Sequence, residues 1–272
     1  MLQKTDTDFS RQKPPKNDTG IRMKRLEGRR AVVIGAGGGI GKAIAHAFVT
    51  EGAVVAMLDV NQGLLLEAVE QSPAGLIPQP YVCDVSNRAV VFDCINDFAG
   101  KQGGVDVLVN TAIYFNYAPL VNMEPVEIDR MIDVGLKGTL WGIQAATPHL
   151  IRSESGVVIN FSSVAVSYSI KNASVYTSIK GAVDALTRQL AVELGAQGVR
   201  VNAIAPGPIP TPGTSTIIDQ SGWELRKSQS PLGRLADVSD IAAAAVYLAS
   251  DESRCVNGIT LKVDSGITIK GT

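Results

Sequence analysis

The sequence predicts an α/β fold, a doubly wound parallel sheet of about seven strands with helices on both faces. Three observations carry this expectation. Short apolar runs of strand length alternate with longer stretches of helical periodicity from residue 31 almost to the C-terminus. A glycine-rich turn, Gly35–Gly41, joins the first apolar run to the first helical stretch. An acid, Asp59, closes the second run. Strand, glycine turn, helix, strand, acid is the pattern of a dinucleotide-binding βαβ unit, so a single-domain Rossmann fold is expected.

Residues 1–25 are polar and charged, contain Pro14-Pro15 and lack the apolar core of a secretory signal. They are expected to form a disordered arm ahead of one domain at 26–272. The run 31–34 (AVVI) reads as the first buried strand, and 40–51 as a helix with Ile44, Ala47 and Phe48 on one face. Between them, Gly35, Gly38, Gly39, Ile40 and Gly41 let the backbone approach a pyrophosphate at a helix N-terminus, where free N–H groups favour an anion. The second strand, 53–59, ends in Asp59, placed to accept hydrogen bonds from the adenosine ribose hydroxyls. Its charge repels a 2′-phosphate, and no Arg or Lys lies at 36–39 or directly after Asp59. NAD(H) is therefore expected in preference to NADP(H).

A helix at 62–71 and a short strand at 81–83 lead to Asp84-Val85. Asp84 is placed either to bind the adenine amino group or to cap the helix over 87–99. The fourth strand, 105–110, ends in Asn110, with Thr111, Ala112 and Ile113 behind it, and a helix is expected over about 126–150, where Gly135 can permit a local distortion. The fifth strand is 157–161. A helix to Gly195, a sixth strand at 198–207, a helix at 238–250 and a strand at 258–263 complete the alternation. The Pro-, Gly-, Ser- and Thr-rich segment 208–230 reads as a substrate-loop excursion, a lid or a short helical insertion.

Chemistry concentrates where the fifth strand meets its helix. Ser163 stands at the strand end, Tyr176 follows in the helix, and Lys180 lies one turn beyond Tyr176. Residues i and i+4 share a helix face, so Tyr176 and Lys180 can point into one site. An ammonium beside a phenol favours the phenolate and brings tyrosine towards the range useful for proton transfer. A serine hydroxyl can hold a carbonyl or alcohol oxygen. The set suits moving a proton on or off an oxygen while a cofactor handles the hydride.

The rest of the composition excludes other classes. A net charge of −1 gives no electrostatic reason to expect nucleic acid or an anionic membrane, and no apolar run reaches membrane-spanning length. Cys83, Cys94 and Cys255 are scattered without zinc spacing, and the two histidines, His46 and His149, have no ligand constellation, so no metal is expected. Free thiols fit a reducing, cytoplasmic setting.

In this order, the motifs closely resemble those of the short-chain dehydrogenase/reductase family over about residues 28–268. The glycine motif is Ile34–Gly41, and the acid after the second strand is Asp59. Asp84-Val85 matches the family's Asp-Val, and Asn110-Thr111-Ala112-Ile113 stands for its NNAG. Ser163, Tyr176 and Lys180 match the catalytic set, and Pro206-Gly207 with Thr211 matches the turn that meets the nicotinamide end. The resemblance implies an NAD(H)-dependent enzyme acting on CH–OH groups, with Tyr176 as general acid/base. Lys180 would lower its pKa and hold the nicotinamide ribose, and Ser163 would bind the substrate oxygen. Thr211 and the backbone near Ile209 would position the carboxamide. It also implies a homotetramer or homodimer.

One departure stands out. The family's helix Asn, which holds a water linking the lysine to solvent, is replaced by Gly135 in Val134–Gly138. With Thr111 and Ile113, this motivates an alternative, a nucleotide-binding relative with attenuated or no catalysis. A ketoreductase of carrier-protein thioesters usually goes with NADPH in this family, which Asp59 disfavours. Enoyl reductases typically show a wider Tyr–Lys spacing. The expected substrate is an uncharged, moderately apolar alcohol or ketone, met by aromatic residues such as Tyr117, Tyr168 and Trp223.

Overall fold

Four of the five residues of the first strand, Arg30–Ile34 (β1), are buried, as a parallel strand covered on both faces requires. Its side chains alternate. Ala31 and Val33 face one half of the core, and Val32 and Ile34 the other. The computed structural model, which describes residues 24–73, 77–215 and 218–270, builds the rest of the sheet around this strand.

The remaining strands are β2 (Val54–Asp59), β3 (Gln79–Val82), β4 (Val107–Asn110), β5 (Val157–Phe161), β6 (Arg200–Pro206) and β7 (Thr260–Val263). They form one seven-stranded sheet in the order β3-β2-β1-β4-β5-β6-β7, and every pairing is parallel. The expected doubly wound sheet is therefore observed. The strand order reverses between β1 and β4, and a crevice opens there beyond the strand ends.

Helices α1 (Gly39–Thr50) and α2 (Gln62–Glu70) and the late helix α9 (Val238–Ala249) cover one face, where Ile44 and Phe48 meet Ile241 and Val246. On the other face lie α3 (Arg88–Gln102), α5 (Gly138–Arg152) and α6 (Ser174–Gly195), with Ile95 and Phe98 packed among Ala146 and Leu194. Two short helices, α7 (Pro212–Ser215) and α8 (Gln220–Gln229), fall inside the expected excursion at 208–230.

Two expectations change. The helix expected over 126–150 is broken into α4 (Pro125–Ile132), a wide turn of π geometry at Asp133–Lys137, and α5. The wide turn contains Gly135, and it offsets the two halves where they pass the site. The cap of α3 is Asn87, whose side chain accepts from the Ala89 and Val90 amides, so Asp84 does not cap it. Asp84 instead accepts from the amide and hydroxyl of Ser86.

The expected arm at 1–25 falls, up to residue 23, outside the described residues. Arg25, at its end, is anchored by a two-pronged ion pair to Glu51, with Nη2 2.6 Å and Nε 3.1 Å from Oε1. Leu26 beside it is fully buried. Among the described residues, no helix is long and apolar enough to cross a membrane, and no His, Cys, Asp and Glu cluster suits a metal.

Candidate active site

The crevice beyond β1 and β4 opens into one elongated cavity of about 1180 Å³. At one end the chain leaves β1 through Gly35, whose positive φ and lack of a side chain let Ala112 and Thr111 pack against it. A side chain at Gly41 would collide with the carbonyl oxygen of Gly35, so the first turn of α1 lies directly on the turn before it. Gly38, the N-cap, has no side chain to occupy the first amides of the helix. Gly35, Gly38, Gly39, Ile40 and Gly41 all line the cavity, with α1 aimed into it.

The Asp59 carboxylate stands beside this turn. Its Oδ2 accepts from the Gly37 amide at 2.9 Å and its Oδ1 from the Asn61 amide at 2.9 Å, which fixes its orientation towards the cavity it lines. Asp84, Val85 and Ala112 line the same end. Lys42 also lines it, with its ammonium bonded to Gln71 at 3.0 Å.

Asn110 behaves differently. It does not line the cavity but sits in the buried seam between β4 and β5, where its Nδ2 donates to Asn160 Oδ1 at 2.9 Å. Asn160 in turn donates to Thr187 at 3.1 Å, tying both strands to α6. Asn110 Oδ1 has no partner among the described residues. Neither Asn160 nor Thr187 was singled out from the sequence. An Asn inside an otherwise apolar strand was the signal available, because a buried amide needs partners.

At the other end of the cavity, Ser163, Tyr176 and Lys180 come together as their spacing suggested. Ser163 stands two residues beyond the end of β5 in extended backbone, and its Oγ accepts from the Ala165 amide at 3.1 Å. Lys180 is buried, and its Nζ donates to the Phe161 carbonyl at 2.8 Å. That carbonyl belongs to none of the sequence motifs, though its place at the C-terminal end of a central strand marks it. Burial pushes the Lys180 ammonium down to about 8. Its nitrogen lies 5.9 Å from the centre of the Tyr176 ring.

The electrostatics of Tyr176 in the protein alone run opposite to the lowering by Lys180 expected from the sequence. Burial raises its phenol above the ordinary value, and a hydrogen bond with Ser163 opposes that rise. The hydroxyl is thus held as a proton donor in the protein alone. Phe115 and Tyr117 pack edge-on against its ring, with centroids 6.1 and 5.5 Å away. Pro206, Gly207, Ile209 and Thr211 close the floor. Thr214 orders this turn, donating to the Ile209 carbonyl at 2.7 Å and accepting from the Thr211 amide at 2.8 Å.

A family model described as enoyl-(acyl carrier protein) reductase matches residues 35–268. The 3-oxoacyl-(acyl-carrier-protein) reductase FabG of Thermotoga maritima is 36% identical over 248 residues, covering 90% of this chain and 100% of that protein. The chain belongs to the short-chain dehydrogenase/reductase family. It is also 34% identical over 247 residues to the D-threitol dehydrogenase of Mycolicibacterium smegmatis, covering 90% of this chain and 95% of the other. Among solved structures, a 7 alpha-hydroxysteroid dehydrogenase complexed with NADH and 7-oxo glycochenodeoxycholic acid superposes with a TM-score of 0.86 at 31% identity. That likeness covers 90% of this chain and 96% of the other.

Two of the chain's departures from the short-chain dehydrogenase/reductase motifs, Gly135 and Ile113, lie in one place. A Cβ built on Gly135 would lie 2.6 Å from Ile113 Cδ1 and 3.0 Å from Ile179 Cγ2. The volume above Gly135 is thus filled by Ile113, and the two substitutions noted in the sequence are one packing event. The Gly135 carbonyl accepts from Thr139 at 2.9 Å. Thr111, the other departure, bonds the Ile34 carbonyl at 2.6 Å and pins the end of β4 to β1.

The buried ammonium has a consequence for stability. Lys180 ionises near 8 in the folded chain and near the ordinary lysine value of 10.5 when unfolded. Between those values the unfolded chain holds a proton that the folded chain has released, so this residue makes folding more favourable as pH rises through the window. Below it both states are charged, and the burial penalty is fully present. The Lys180→Met variant keeps the stem and removes the charge. It is expected to be more stable than the parent at neutral pH, by about 1–3 kcal/mol. The advantage should shrink towards pH 10. Urea melts at two pH values check this, and a Met variant less stable at neutral pH would contradict it.

Proposed function

We propose that this oxidoreductase interconverts a secondary alcohol and a ketone with NAD(H), using Tyr176 to pass the proton. The observation that carries the reading is the layout of one cavity, with an uncapped helix N-terminus and Asp59 at one end and Ser163, Tyr176 and Lys180 at the other. The residues fit the cofactor. Gly35 and Gly41 bring backbone amides close, Gly38 leaves the first amides of α1 free of a side-chain cap, and the Asp59 carboxylate is pre-aimed by two amides.

When bound, the nicotinamide supplies or accepts the hydride. Ser163 Oγ holds the substrate oxygen. Tyr176 donates its proton to that oxygen in reduction and takes it back in oxidation. Lys180 is held against the Phe161 carbonyl, and its remaining donors suit the ribose hydroxyls. Its charge favours the phenolate formed after transfer. Thr211 and the backbone at Ile209 hold the carboxamide. Phe115 and Tyr117 cover the ring of Tyr176 and keep bulk water from the transfer. The D-threitol dehydrogenase and hydroxysteroid dehydrogenase names among the relatives support an alcohol–ketone reaction. Alcohol and ketone panels followed by NADH absorbance in both directions test it, and no turnover of any member would reject it.

Asp59 supports NAD(H) over NADP(H). Binding of NADH is expected to be at least about tenfold tighter than that of NADPH, because one carboxylate against a 2′-phosphate costs on the order of 1–2 kcal/mol. The Asp59→Ser variant should narrow the ratio. Equal affinities in the parent chain, read by cofactor fluorescence, would overturn the assignment.

A second reading, reduction of a carrier-bound 3-oxoacyl thioester, is favoured by the likeness to FabG. An acetoacetyl thioester in the same panel separates the two. The long helices and the C-terminal segment support a homodimer or homotetramer, and Val192 of α6 is 78% exposed in the isolated chain. Light scattering of the purified protein tests that assembly.

A further inference from the structure

We propose that the substrate carries a carboxylate at the end remote from its reacting carbon, and that Arg226 of α8 binds it. This deepens the reading above and rests on Tyr176 marking the reacting end. The sequence alone favoured an uncharged substrate; the placement of the charges argues otherwise.

Leaving Tyr176, the cavity wall is aromatic. Phe115 and Tyr117 pack at a tilt with ring centroids 5.4 Å apart, and Tyr168 and, from α8, Trp223 also line the cavity. Arg226 lines the cavity from this side, with Lys171 as a second cation. Burial pushes up the phenol of Tyr117, with Tyr176 adding to the rise and the Arg226 charge opposing it. Burial also raises Tyr168, and Arg226 opposes that as well. Arg226, Tyr117 and Tyr168 thus line the same cavity, and the guanidinium charge acts on both phenols.

The local sequence holds Arg226 there. Asp219 caps α8 by accepting from the Gly222 amide at 2.8 Å, and Arg226 follows one turn after Gly222. A Cβ on Gly222 would come within 3.2 Å of Arg226 Nη1, so the glycine leaves room for the guanidinium to fold back over its helix. Nη1 donates to the Gly222 carbonyl at 2.9 Å. No carboxylate lies within ion-pair distance of Arg226 among the described residues.

The acids around it are committed elsewhere. Asp219, on which the Arg226 charge also acts, accepts from the Ser221 hydroxyl as well, and Asp264 accepts from the Gly266 and Thr268 amides and the Thr268 hydroxyl. The acids that line the cavity, Asp59, Glu67 and Asp84, stand at the nucleotide end. The substrate end thus has two cations and an apolar aromatic wall without an acid of its own. A guanidinium offers planar donors that match a carboxylate two at a time, and partial burial strengthens the pair. An uncharged ligand would desolvate the same group with no return.

Methyl-ketone carboxylates of about five, seven and nine carbons, each beside its methyl ester, test the proposal with NADH as reductant. In the parent enzyme, kcat/KM for the best acid should exceed that of its ester by about 10- to 100-fold, mostly through KM. Arg226→Gln should collapse that ratio towards one, and Arg226→Lys should restore part of it. Equal use of acid and ester, or a ratio untouched by Arg226→Gln, would overturn the proposal. Binding of the same acids to the enzyme–NADH complex, read by NADH fluorescence, gives a readout independent of turnover. If no ketone is reduced but the acids bind in an Arg226-dependent way, the anion site stands and the alcohol–ketone reading fails. If neither acid nor ester binds, or both bind alike, the anion site is rejected.

Discussion

Tyr176→Phe should lower turnover by about a hundred- to ten-thousandfold, the range expected when a positioned proton donor is deleted. The change removes one oxygen and keeps the ring, whose edge contacts with Phe115 and Tyr117 at 6.1 and 5.5 Å hold it in place. The phenol is raised by burial and opposed by Ser163, so losing it forfeits one hydrogen bond worth about 1 kcal/mol and leaves the fold intact. The nucleotide end proposed above is at α1 and Asp59, so NADH affinity should stay within a few-fold of the parent. Steady-state rates with the best substrate of the panel, set beside NADH fluorescence titration, separate chemistry from binding. Turnover within a few-fold of the parent would remove Tyr176 from the reaction.

Gly135→Asn should destabilise the chain by about 1–3 kcal/mol, although it restores the residue the family usually carries. The new Cβ would stand 2.6 Å from Ile113 Cδ1 and 3.0 Å from Ile179 Cγ2. The Ile113 terminus can swing aside, but the Ile179 methyl sits on a β-branched carbon with a stiff rotamer. Ile113→Ala alone, at a partly buried position on the cavity wall, costs about 1–2 kcal/mol. In the double variant the Asn side chain occupies the space the Ile gave up. Its loss should therefore be smaller than the sum of the singles by about 1 kcal/mol or more. Urea melts of the four proteins close the cycle, and additivity within about 0.5 kcal/mol would show that the two positions do not share one space. Rates across the same cycle bear on attenuated catalysis. A large gain in the double variant from a slow parent would favour that reading, and a fast parent would dismiss it.

Much of the site was legible because its parts are local. Gly35 to Gly41 form one turn, and Tyr176 and Lys180 are one helical turn apart, so short-range geometry alone aligns them. Every candidate residue but Asn110 lines the cavity. Asn110 is turned into the seam with Asn160 and Thr187. Its direction depends on partners far along the chain, which no local pattern encodes. The same limit explains Asp84, whose capping role went to Asn87 once the helix start was set by the backbone.

Chain order and chemistry were written in the residues. Short apolar runs and helical periodicity specify which segments become strands and which helices, and the glycines with Asp59 suit a nucleotide turn, because both act within one βαβ unit. Packing between distant segments settled the rest. The helix at 126–150 is interrupted by the π turn at Asp133–Lys137, where the space above Gly135 belongs to Ile113 of another segment. Lys180 is held down to about 8 by burial that only the closed fold creates. Arg226 meets the aromatic wall only when α8 folds back over the crevice. Spacing along a chain carries bond geometry, whereas volume, desolvation and the reach of a charge exist only once remote residues share the same space.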